Sequence, residues 1–120
     1  MNTIGVDFDG VIHDYNPKWV LTDVETIGDK ATKGALDGLK SLLEQNCIFI
    51  YTSRKDLSRV FDWFTEKGFT AKIIDSYKVW DEQGVIGITN YKLPAMAYID
   101  DRAIRFTNWN DIVKYFYWKT

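Results

Sequence analysis

The stretch "GVDFDGVIHD", residues 5–14, runs an apolar segment directly into Asp7 and Asp9 and then into Gly10. Residues 3–8 alternate and are rich in apolar side chains, which predicts a buried first strand. Gly10, just beyond it, permits a tight or left-handed backbone. Burying charge is costly unless it is paired or coordinated, so the acids at 7 and 9 need a compensating partner.

Working outward, "TKGALDGLKSLLEQN" at 32–46 sets Ala35, Leu36, Leu39, Leu42 and Leu43 at helical spacing. Thr32 is the expected N-cap and Asn46 the expected C-terminal stop. "CIFIYTS" follows as a second strand, apolar on both faces like the centre of a parallel sheet. Asp56 is placed to cap a second helix over 57–67, with Val60, Phe61 and Phe64 inward and Gly68 ending it. A third strand is expected at 71–75 and a fourth at 96–100. A last helix spans about 109–118. In it Ile112, Val113 and Phe116 face the core, while Tyr115, Tyr117 and Trp118 leave apolar surface over, for a subunit contact or simply to cover their own sheet. Residues 11–31 read as a loop with a short hairpin or helical turn around "KWVL", and 76–95 read as irregular, with Gly84, Gly87 and Pro94. Strands alternating with helices in this way predict one domain over 1–120, a three-layer α/β fold with a mostly parallel sheet.

Composition narrows the function. With 120 residues, 46% hydrophobic and 27% charged, the chain can build a packed core. The net charge of −2 supplies no broad basic field for nucleic acid and no polybasic tail for anionic lipid. The apolar runs are too short to span a bilayer, and "MNTIGVDF" lacks the features of a signal peptide. The lone Cys47 has no internal disulfide partner, so it reads as a small core residue in a reducing cytoplasm. One Cys and one His do not make a Cys/His zinc site.

Both acidic clusters, Asp7/Asp9 and Asp100/Asp101, fall at the carboxyl ends of predicted strands, the edge where open α/β sheets bind ligands. Residues two apart on a strand project to one side, so Asp7 and Asp9 can face a common point, which Asp100 can join. Such a group repels itself and is driven toward protonation unless a cation compensates. All-oxygen donors suit Mg²⁺. The competing reading is that these acids are solvated, or paired with Arg54, Arg102 or Arg105. Thr52 and Ser53 bring hydroxyls to the same edge. Lys92, just before the fourth strand, could neutralise a phosphate, with Lys78 as its rival. His13 reads as a partly exposed flap residue. A Ser53/His13/Asp triad can be written down, but it lacks the glycine-flanked nucleophile turn.

The order Asp7-Phe8-Asp9-Gly10-Val11, Thr52 at a strand end, Lys92, then Asp100-Asp101 resembles the haloacid dehalogenase-like superfamily of aspartate-nucleophile phosphohydrolases, over residues 4–105. "KLPAMAYIDDRAIRF" is similar to small, often phage-associated members of that group. The resemblance implies a Rossmann-like core, with Asp7 as the nucleophile that becomes an aspartyl-phosphate. It implies Asp9 as general acid and then base. Mg²⁺ would be held by Asp7, the backbone carbonyl of Asp9 and Asp100, with Asp101 bound directly or through water. Thr52 donates to a phosphoryl oxygen, Lys92 neutralises charge, and Gly10 and Ser53 complete the phosphate-binding set. Val11 stands where many phosphatases of the group have Thr, which leaves the substrate class open.

Larger relatives carry a cap domain, but 11–31 and 76–95 are too short for one. A capless, open site is therefore expected, with 13–31 as a local flap carrying Tyr15, Lys18 and Trp19. The expected activity is hydrolysis of a nucleotide or other small phosphomonoester. The alternatives are a phosphatase acting on nucleic-acid ends, which the acidic balance disfavours, and a non-catalytic metal-binding or assembly protein. Self-association would let a neighbouring subunit cover the open site.

Overall fold

The structure is a computed structural model that describes residues 1–14 and 27–119. The element order is β1 (Asn2–Asp7), α1 (Ala35–Leu43), β2 (Asn46–Tyr51), α2 (Leu57–Glu66), β3 (Ala71–Ile73), β4 (Ile86–Thr89), β5 (Ala97–Ile99) and α3 (Trp109–Lys119). The five strands form one sheet in the order β3-β4-β2-β1-β5, and every pairing is parallel. This is a Rossmann-like α/β fold with no inserted cap among the described residues.

Register explains the core. Ile4 pairs with Ile48 and Val6 with Ile50, and Ile50 pairs with Ile88. Side chains on paired parallel positions share a face, so these residues line one side of the sheet. Leu39 of α1 and Val60, Trp63 and Phe64 of α2 close over that side. Both helices therefore lie on the same face. The opposite face carries Cys47 and Phe49 and is covered by Ile74, Trp80 and Leu93 from irregular chain. The third layer is thus made by loop side chains rather than by a helix. Cys47 is free and buried there, as its sequence context predicts.

The helix ends follow local chemistry. Asp56 caps α2 by accepting the Ser58 N–H at 3.1 Å, and Gly68 follows the helix with φ 90°. Thr32 does not cap α1: Gly34 occupies that position without a side-chain bond, and the Thr32 hydroxyl instead donates to the Val11 carbonyl at 2.5 Å. Asn46 begins β2, yet its side chain donates to the Leu42 carbonyl at 3.0 Å, so it also satisfies the end of α1.

Two expectations are corrected. Residues 76–95 are not irregular throughout, because Ile86–Thr89 form β4 between β2 and β3. Gly87 hides this strand in the sequence. A Cβ there would run into the Trp80 ring and Ile74, so the strand gives up a side chain to let Trp80 cover it. The last helix exists, but Val113 and Phe116 are exposed rather than inward. Among the described residues, α3 packs on no other element. "KWVL" lies outside the described residues. No described helix is long and apolar enough to cross a membrane.

Candidate metal centre

Parallel pairing brings the carboxyl ends of β1, β2 and β5 to one edge. Asp7 ends β1 opposite Tyr51 at the end of β2. Asp100 and Asp101 follow β5, which flanks β1 on its other side. Carboxylate oxygens of Asp7, Asp100 and Asp101 all lie within 4.8 Å of one another. At that separation two ionised carboxylates repel by about 3–4 kcal/mol for an effective dielectric near 20. Burial pushes the Asp7 carboxyl up to about 6; the Phe8 N–H pulls against it, and the neighbouring charges of Asp100, Asp101 and Asp9 add to the rise. That N–H donates to Asp7 Oδ1 at 2.9 Å.

Asp100 is held the other way. The Arg102 backbone N–H donates to its Oδ1 at 2.9 Å, and the Tyr51 hydroxyl donates to its Oδ2 at 3.1 Å. These bonds, with the nearby Lys92 charge, keep Asp100 below the ordinary carboxylate range. Burial, reinforced by Asp100, pushes the Tyr51 hydroxyl up, so it stays a donor. Gly10 sits at φ 86°, and a Cβ on it would collide with the Asp101 carboxylate. Its missing side chain is what lets Asp101 reach Asp7. Three carboxylates converging this closely make an oxygen donor set suited to a hard divalent ion.

Asp9 does not join this group through its side chain. Arg54 grips it with Nε on Oδ2 at 2.8 Å and Nη2 on Oδ1 at 2.9 Å. His13 Nδ1 also meets Oδ1 at 2.8 Å. Burial pushes the Asp9 carboxyl up, but hydrogen bonds from His13 and Arg54 outweigh it and hold the group below the ordinary range. A ligand to the same ion from this residue would have to be its backbone carbonyl. The pairing foreseen between the acids and an arginine is therefore real for Asp9 and Arg54.

His13 corrects the expectation of a partly exposed flap residue, since it is fully buried. Its ring stacks on Phe8 with centroids 5.2 Å apart. The Gly28 N–H donates to Nε2 at 3.1 Å, which leaves the ring proton on Nδ1, facing Asp9. With both nitrogens engaged in this way, the Ser53/His13 triad has no geometric basis. Backbone bonds from Asp14 N to Lys30 O and from Thr32 N to Ile12 O, both 2.8 Å, tie together the two ends of the 13–31 segment. Tyr15, Lys18 and Trp19 lie outside the described residues.

Thr52 is buried at the end of β2. Its Oγ1 accepts the Arg54 N–H at 3.2 Å, which leaves the hydroxyl proton available to donate. Ser53 beside it is exposed. Lys92 places its ammonium 4.3 Å from the Tyr98 ring centroid, and its charge is felt by Asp100. Lys78 lies over Trp80, 5.8 Å from the ring centroid. Trp80 meets the amino-terminal end of β1 through Thr3, away from the acids. Sequence reading missed Asn90, whose side chain donates to the carbonyls of Thr52 at 2.7 Å and Arg54 at 2.8 Å. No local pattern marks such a clamp, because its two acceptors lie on a different strand end.

No family model matches this chain, and no curated protein matches it. Its fold is similar to the solved structure of a conserved protein coded by a locus of Bacteroides thetaiotaomicron. The two are 23% identical with a TM-score of 0.56, and the match covers 99% of this chain and 92% of that one. At that identity the likeness speaks for the fold alone.

Proposed function

We propose that this chain is a Mg²⁺-dependent phosphomonoester hydrolase of the haloacid dehalogenase-like type, acting on a nucleotide or another small phosphomonoester through Asp7. The observation that carries the reading is the convergence of Asp7, Asp100 and Asp101 at one sheet edge, beside a buried Thr52. In this reading Asp7, Asp100, Asp101 and the carbonyl of Asp9 would hold the cation, which would supply positive charge to screen the repulsion between a phosphate and the carboxylates.

The chain's own groups supply the rest. Phosphoryl transfer asks a protein chiefly for positioning and charge stabilisation. One Asp7 oxygen is fixed by the Phe8 N–H, so the side chain is oriented and its other oxygen is presented to phosphorus. That oxygen forms the new P–O bond as the ester oxygen leaves, and water later cleaves the acyl phosphate. Thr52 donates its hydroxyl to a phosphoryl oxygen. Lys92 neutralises charge beside Asp100, and its placement favours it over Lys78 for this role. Asp9 is assigned the two proton transfers: its carboxylate would have to swing off Arg54 and take a proton from solvent water, give that proton to the leaving ester oxygen, and then accept one from the water that cleaves the acyl phosphate. No described residue forms a cap over this edge, so in this reading substrate selection falls to the described loops that border it.

A second reading has one observation in its favour. Both oxygens of Asp9 are already engaged by Arg54 and His13, as expected if the site binds a metal without turning over. Release of inorganic phosphate from p-nitrophenyl phosphate and a panel of phosphomonoesters, with and without Mg²⁺, separates the two. Mg²⁺-dependent turnover that Asp7→Asn abolishes supports the hydrolase. Metal binding with no turnover on any ester overturns it.

A further inference from the structure

Tyr51 ends β2 on the sheet face away from the helices, where it packs against the cluster of Cys47, Phe49 and Trp80. From there its phenol reaches past a whole strand. β1 lies between β2 and β5, and Tyr51 stands opposite Asp7 of β1. Yet the Tyr51 hydroxyl donates at 3.1 Å to Oδ2 of Asp100, which follows β5. Two strand spacings make about 10 Å, so this bond needs a long side chain and a clear path over β1.

Gly5 supplies the path. It pairs with Phe49 on one side and with Tyr98 on the other. A Cβ on it would fall 2.6 Å from the Phe49 ring and 2.9 Å from the Tyr98 ring. Its missing side chain therefore lets the two rings close over the strand. Both rings flank Tyr51, Phe49 with centroids 6.2 Å apart and Tyr98 edge to face at 6.1 Å. Tyr98 is itself anchored, since its hydroxyl donates to the Leu93 carbonyl at 2.6 Å. The phenol of Tyr51 is thus held by packing before it makes its bond. At the other end, the Arg102 N–H donates to Oδ1 of Asp100 at 2.9 Å. One donor on each oxygen fixes the plane of that carboxylate.

We propose that Tyr51 is a positioning residue of the cation centre: it acts through Asp100, holding that carboxylate in the orientation that a divalent ion would use. The inference rests on the cation-binding reading above and adds to it a residue from outside the acidic group. Hydrogen bonds of this kind orient a ligating carboxylate, and losing one costs a metal site about 10–100-fold in affinity.

Calorimetric titration of Mn²⁺ into the full-length, metal-free protein tests this on the wild type, Tyr51→Phe, Asp100→Asn and the double variant. Tyr51→Phe keeps the ring and its packing and deletes only the hydroxyl, so melting in chelator is expected to stay cooperative. Its Mn²⁺ affinity is expected to fall about tenfold or more. Added to Asp100→Asn, the same change is expected to cost nothing further. Unchanged affinity in Tyr51→Phe overturns the proposal. So does a full further loss in the Asp100→Asn background, which marks a merely structural role for the ring. A wild type that takes up no Mn²⁺ overturns the cation-binding reading and this role with it, so the wild-type titration alone tells the two failures apart.

Discussion

Arg54 holds Asp9 through two nitrogens at 2.8 and 2.9 Å, and both side chains are largely withdrawn from water, at 4% and 25% exposed. The pair joins the loop after β1 to the loop after β2, and so fixes the distance between Asp7 and Thr52. Arg54→Ala leaves a partly buried carboxylate short of its main counter-charge, a loss of about 3 kcal/mol or more. Urea denaturation should show that drop. Arg54→Lys should recover only part of it, because a point charge cannot replace the two-pronged contact.

Gly10 makes a second test of the edge. Any side chain at φ 86° is strained, which costs about 1–2 kcal/mol, and this one also displaces Asp101. Gly10→Ala should therefore lose stability by about that amount and weaken divalent-ion binding by more than tenfold. Calorimetric titration of Mg²⁺ or Mn²⁺ reads the affinity. Unchanged affinity would place Asp101 outside the cation site.

The Asp7 carboxyl gives a pH signature in metal-free protein. It is pushed up to about 6 from an unfolded value near 3.8, so the native state binds the extra proton between those limits. Stability contributed by this group is present at low pH and is lost as pH rises through about 4 to 6. Asp7→Asn removes that loss. Its melting temperature should exceed that of the wild type at pH 7–8, and the gap should close near pH 4. Melting curves across pH in the presence of a chelator measure it.

Adding the cation should reverse that order. A ligand that binds only the folded state stabilises it in proportion to the logarithm of its concentration. Wild-type protein should gain several degrees in millimolar Mg²⁺, while Asp7→Asn and Asp100→Asn should gain little. Equal shifts in all three proteins would mean that the ion binds elsewhere.

The sequence carried the frame of this site and not its interior. Asp7, Asp9, Thr52, Asp100 and Asp101 were legible because strand-end acids and hydroxyls follow apolar runs. The cap of α2 at Asp56 and the four strands first read were legible for similar reasons of local chemistry. β4 was not, because Gly87 breaks the apolar pattern and its purpose, room for Trp80, comes from residues outside the strand. His13 was misread because burial depends on Phe8, Trp63 and Gly28 arriving from three separate segments. The sequence also could not show that Arg54 would choose Asp9. The last helix was legible as a helix, but Val113 and Phe116 were expected to face the core and are exposed; periodicity says only that a face is apolar, not that the fold covers it.

The measurement that bears most directly on the central claim is an anomalous-scattering map from crystals soaked in Mn²⁺ as a stand-in for Mg²⁺. The account predicts one peak between the carboxylates of Asp7 and Asp100, within reach of Asp101 and the carbonyl of Asp9, and no such peak in Asp7→Asn crystals. A map without a peak at that edge, or with the ion held by other residues while the three carboxylates stay as they are, would contradict it.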